Sequence, residues 1–206
     1  MMSKRTITGV NAGSMADIAF LLLIFFMMTA TIEKDKGIAR SLPADIDQPI
    51  VDIKTKNLFD VRINKYDELY VEDEILDIKE LRMAAIAFID NGGAVVGSKY
   101  YCDYCEGQRD PNSSDHPDKA IVSIHTDRSA SYKTYIAVQN EIAAAYNYLR
   151  DRESLERFGW KFTEVKREIS EGNKRPSELI QQQLHEIQNL IPYRLVEAEL
   201  KHRAKE

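Results

Sequence analysis

Cysteine and tryptophan are scarce in this chain of 206 residues, with two of the first and one of the second. Two cysteines without a second ligand pair make a weak zinc signal. An excess of positive charge is also missing. Lys and Arg number 28 against 33 Asp and Glu, and the net charge of −5 leaves no basic footprint for nucleic acid. There is no glycine-rich loop of the kind that cradles phosphates, so the chain itself is not expected to hydrolyse nucleotide. Internal repeats and low-complexity tracts are absent.

Long apolar runs are missing too, with one exception. From Thr6 to Ile32 the sequence carries a single charged residue, Asp17, and the run is closed by Lys4 and Arg5 before it and Glu33 and Lys34 after it. At a rise of about 1.5 Å per residue, such a window is long enough to span a bilayer. Between Ile18 and Met28 every residue except Ala19 is large and apolar. An acid inside a membrane helix costs roughly 2.5 to 3.5 kcal/mol on insertion scales, so it normally faces protein or a water-filled path.

Three blander readings compete with a functional span. A cleaved signal peptide fits the basic start and the small residues near Thr29 and Ala30, but its apolar core is normally uninterrupted by an acid. A plain anchor would carry Asp17 at a cost and without a role. A core helix of a soluble protein is opposed by apolar residues on all sides, Phe25 to Met28 among them. The residues around the acid favour function. Asn11, Ser14 and Asp17 recur every third position and share a stripe with Leu21, Ile24, Met28 and Thr31. Gly9 and Gly13, and Ala12 and Ala16, form small-xxx-small pairs that let another helix approach.

Asn11-Ala-Gly-Ser-Met-Ala-Asp17, followed by Ile-Ala-Phe-Leu-Leu-Leu-Ile-Phe-Phe-Met, resembles the signature of the ExbD/TolR family. These are single-span subunits of proton-driven motors in Gram-negative envelopes. Many members have a proline shortly before the acid, where this chain has Ser14-Met15. The resemblance implies that Asp17 translocates protons, with Asn11 and Ser14 as a supporting polar face. It implies an ExbB-like multi-span pentamer around two copies of this chain, and a TonB-like protein that receives the motion. It also implies a cytoplasmic N-terminus and a periplasmic domain at the bacterial inner membrane. Charge does not decide the topology: Lys4, Arg5 and the N-terminal amine are balanced by Lys34, Lys36 and Arg40. No enzymatic activity and no cofactor are expected. A TolR-like role in outer-membrane integrity is the alternative within the family.

The soluble part reads as one small domain. Residues 1–5 form a stub, 6–32 the transmembrane helix, and 33–57 an extended linker broken by Pro43 and Pro49. Residues 58–206 form the domain, with a loop insertion at 98–118. Phe59, Val61 and Ile63 alternate with polar residues as a half-buried strand, and Leu69 to Val71 return antiparallel. Asp77 with Glu80 opens a helix bearing Leu81, Ala84, Ala85, Phe88 and Ile89 on one face, and Asn91-Gly-Gly93 stops it. Ala120 to His125 is a strand, and Ser131 caps a long helix bearing Tyr135, Val138, Ile142, Tyr146 and Leu149. Helices near 163–170 and 177–189 precede a closing strand at 193–198. The fold expected is a single N-terminal transmembrane α-helix followed by a small α/β (α+β) domain. It has about four strands, two main helices and further C-terminal helices.

Cys102-Asp-Tyr-Cys105 suggests chemistry of its own. A thioredoxin-like site should open a helix, whereas loop composition follows this one. In an oxidising compartment the two thiols form a possible disulfide or respond to an oxidant system. A membrane-anchored thiol-redox or interaction protein is therefore the competing class, and His116 with Asp103 could complete a zinc site. His125 and Asp127 mark a strand-to-helix turn without a nucleophile placed beside them. Trp160, Phe158 and Phe162 read as a satellite core.

Overall fold

The computed structural model describes residues 12–29, 55–172 and 176–199. The chain divides into two compact units, 1–49 and 50–206. Asn11, Gly9, the stub and the linker over 33–54 lie outside the described residues.

In the first unit, helix α1 spans Ala12–Thr29. Its 18 residues are about 27 Å long at the α-helical rise, close to the thickness of a hydrocarbon core. None of them is buried within the chain. Thr29 at its end returns its hydroxyl to the carbonyl of Phe25 at 2.8 Å.

The second unit is a five-stranded sheet with helices on one face. A 3₁₀ turn over Thr55–Asn57 leads into β1, Leu58–Ile63. The sequence placed this turn at the end of the linker, yet Asn57 is buried and Lys56 pairs with Asp115 at 2.5 Å. In β1 Phe59, Val61 and Ile63 are buried and the residues between them are not, as the alternation predicts. The Asn64 side chain closes the next turn by accepting the backbone N–H of Tyr66 and Glu68 at 2.8 and 2.9 Å. β2, Leu69–Val71, returns antiparallel to β1. A third strand that the periodicity could not show, β3 over Glu74–Ile75, pairs with β2. Two residues are too few to carry a period.

Helix α2, Ile78–Ile89, is capped by Asp77, whose carboxylate accepts the N–H of Lys79 at 2.9 Å. After a long loop come β4, Ile121–Thr126, and α3, Tyr132–Phe158, the latter capped by Ser131 and ended by Gly159 at φ +77°. The short helices α4, Phe162–Ser170, and α5, Glu178–Leu190, precede β5, Leu195–Glu199. The sheet order is β3-β2-β1-β4-β5, with β1, β4 and β5 mutually parallel and β2 and β3 added antiparallel. Phe59, Val61, Ile63, Val122 and Ile124 from the sheet meet Leu81, Ala85, Ile89, Val138, Ile142, Tyr146 and Leu149 from α2 and α3 in one core. Buried Arg150 on α3 donates twice to the carbonyl of Ile191, at 3.0 and 2.8 Å, just before β5. Its guanidinium also lies 5.4 Å from the fully buried Phe162 ring. Phe158 stacks on Trp160 at 5.6 Å, and both are half-buried.

Candidate functional site

Helix α1 forms because straight-chain and aromatic apolar residues fill it, with no proline or β-branched run to interrupt it. It is apolar all round, and its large side chains, from Ile24 at 37 % to Met28 at 81 %, are exposed. A helix of this kind is stable only against lipid or other chains. Asp17 sits about 7.5 Å along the axis from Ala12 and about 18 Å from Thr29. At 100° per residue, Ser14, Leu21, Ile24 and Met28 lie within about 60° of it, and Gly13 one turn before it is within about 40°. Ala16 lies on the flank, about 100° away, and Ala12 toward the opposite face, about 140° away. The acid, a hydroxyl and a glycine thus occupy one face, where a close-packed neighbour can reach the carboxyl.

The segment between α2 and β4 is built around Asn91, whose role the sequence suggested only as a helix stop. Its amide donates to the carbonyls of Asp110 and Ser114 at 2.9 and 2.8 Å and accepts the N–H of Asp110 at 3.0 Å. Two glycines make the fold of this loop possible. A Cβ on Gly93 would stand 2.1 Å from the carbonyl oxygen of Asp110, and one on Gly107 2.4 Å from that of Asp90. Cys102 and Cys105 are joined as a disulfide, with Cα atoms 5.5 Å apart, and both are buried. The Arg109 guanidinium forks onto their two carbonyls at 3.2 and 3.0 Å. No helix begins at the pair, and His116 is packed edge-on against Tyr104 at 5.7 Å. Among the described residues no group of three or more His, Cys, Asp or Glu is arranged to hold a metal.

His125 points to the sheet's polar side, with Nε2 3.0 Å from Ser123 Oγ and 3.3 Å from Asp60 Oδ1. Serine and carboxylate share one ring nitrogen, whereas a relay needs them on opposite ones. Asp127 ties down the following turn by accepting the N–H of Ser129 at 2.8 Å. Neither residue assembles a catalytic site.

A helix long and apolar enough to cross a membrane, carrying one acid and followed in the chain by a small α+β domain, is the pattern of a single-pass membrane protein. Residues 3–150 match the family described as biopolymer transport protein ExbD/TolR, and the chain belongs to that family. No curated protein matches it. Membership makes it a subunit that energises biopolymer transport within a membrane complex, in a family whose members are transport-associated and non-enzymatic. The match ends inside α3, so α4, α5 and β5 lie beyond it, although β5 pairs with β4 and completes the sheet.

Proposed function

We propose that this protein is the ExbD-type subunit of an inner-membrane motor that couples proton flow to TonB-dependent transport across the outer membrane. The observation that carries the proposal is Asp17, the one charged residue of α1, on a face shared with Ser14 and Gly13. Apolar surroundings favour the neutral acid and water or a polar partner favours the carboxylate, so a helix that turns within its partner alternates the two states. A proton falling through about 180 mV releases roughly 4 kcal/mol, enough to bias that turn. One helix cannot enclose such a path. An ExbB-like pentamer around two copies of this chain supplies the walls, and a TonB-like protein receives the motion from the periplasmic domain. The disulfide Cys102–Cys105, buried in the domain, supports placing that domain in the oxidising periplasm and the N-terminus in the cytoplasm.

Asp17→Asn keeps size and polarity and removes only the exchangeable proton. In cells producing the partner subunits, with assembly checked by co-purification, gradient-driven uptake is expected to be abolished while the complex remains. Normal uptake by the Asn variant would remove Asp17 from the mechanism. Recovery of a TolA-like partner in place of a TonB-like one would move the protein to the Tol branch.

A further inference from the structure

The end of the sheet away from β5 leaves a groove of about 440 Å³ between the β2–β3 hairpin, α2 and the loop that follows α2. Its size is that of a ligand site rather than a packing gap. The floor is apolar: the rings of Phe59 and Phe88 lie 5.1 Å apart, with Leu76 and Ala84 beside them. The charged lining is of one sign, with Glu72 and Glu74 on the hairpin and Asp110 on the loop, and among the described residues no Lys or Arg lines the groove. The base nearest along the hairpin, Arg62, is committed elsewhere, to Asp60 at 2.8 Å and to Asp73 at 2.5 Å. Partial burial, and then the neighbouring Asp60 and Glu74, raise the Glu72 carboxyl above its ordinary value, and no cation offsets them.

The walls are fixed. Glu72 and Asp73 form the two-residue turn of the hairpin with φ of +51° and +73°, a left-handed conformation that usually calls for Asn-Gly. Side chains held in this region at a backbone cost cluster where ligands are clamped. Asp110 is held on the other side by the Asn91 amide. Beside the groove, β3 is the outermost strand of the sheet among the described residues, and its outer edge can accept another backbone.

We propose that this groove binds an extended segment of a partner protein in which lysine or arginine alternates with apolar residues. The apolar side chains rest on the Phe59–Phe88 floor, the cation is held between Glu72, Glu74 and Asp110, and the segment's backbone runs along β3. The proposal stands independently of proton transfer at Asp17. One wall comes from the loop between α2 and β4.

The test uses the full chain in nanodiscs of phosphatidylcholine, which has no net charge to attract a basic peptide. A fluorescein-labelled Lys-Val-Lys-Leu-Lys peptide is titrated by anisotropy, with Glu-Val-Glu-Leu-Glu as control. Saturable binding of the first peptide alone is expected. It should weaken at least about tenfold in the Glu72→Gln/Glu74→Gln double variant, in line with the loss of two charge-assisted contacts. Ala87→Trp, which fills the groove from α2 and leaves every carboxylate in place, should weaken it likewise with an unchanged unfolding midpoint. The proposal fails if the double variant binds as the parent does, if both peptides bind alike, if binding does not saturate, or if lysine amide competes as well as the peptide.

Discussion

At the scale of the residue, His116 links the fold to pH. Its Nδ1 accepts the backbone N–H of Asp118 at 3.0 Å, and a ring nitrogen that accepts cannot also hold a proton. Burial disfavours the imidazolium, and its pKa lies below the ordinary value even though Asp118 and Asp103 pull the other way. The unfolded chain therefore takes up a proton here more readily than the folded one. This contribution to stability is complete above the ordinary histidine value of about 6.5 and is lost as pH falls through the lower folded value. In His116→Asn the amide oxygen can still accept the Asp118 N–H. The urea midpoint of the variant should then fall less than the parent's between about pH 7.5 and about pH 5. Equal falls would place the acid sensitivity at another group.

Between elements, the C-terminal end of α2 is joined to the last third of α3 by Arg152. Its guanidinium meets Asp90 at 2.6 and 2.8 Å, Glu106 at 3.2 Å and Glu153 at 3.1 Å, and the side-chain bond to Asp90 leads the effects that raise its pKa. Asp90 and Glu153 are both buried. Removing the cation strands two carboxylates, so Arg152→Leu should cost about 3 kcal/mol in chemical unfolding. A loss under about 1 kcal/mol would show that water or Arg157 takes over. The regular elements were legible in the sequence because each repeats: period two in Phe59-Val61-Ile63, period near 3.6 in Val138-Ile142-Tyr146-Leu149, and a capping side chain before each main helix. The loop after α2 repeats nothing. It is organised by one amide, two glycines and backbone carbonyls, and composition reports only that it is not a helix or a strand. The groove was hidden for a related reason, since its lining comes from stretches near residues 59, 72, 84, 88 and 110 that no local window joins. Asp17 was legible because an acid in an apolar run stands out without any fold.

For the molecule as a whole, the family match stops at residue 150 but the domain does not. Ile187 and Ile191 are buried, Arg150 is tied to the Ile191 carbonyl, and Gln139 and Tyr135 on α3 both bond the Glu197 carboxylate on β5 at 2.7 Å. A chain ended after Arg150 loses the strand paired with β4. Its domain is expected to be insoluble or to lack a cooperative thermal transition by circular dichroism, and a sharp transition in that truncation would show β5 to be dispensable. The place of β1 has a mechanical consequence. Among the described residues it is the first strand after α1, yet it lies in the centre of the sheet, hydrogen-bonded to β2 on one side and over six paired positions to parallel β4 on the other. Tension drawn through residue 58 and resisted at the far end of β5 pulls parallel strands in opposite directions along their length. The ladder is then loaded in shear, all rungs together, rather than unzipped one by one, and a pull on the tether passes through the domain as a whole before it can peel the sheet apart.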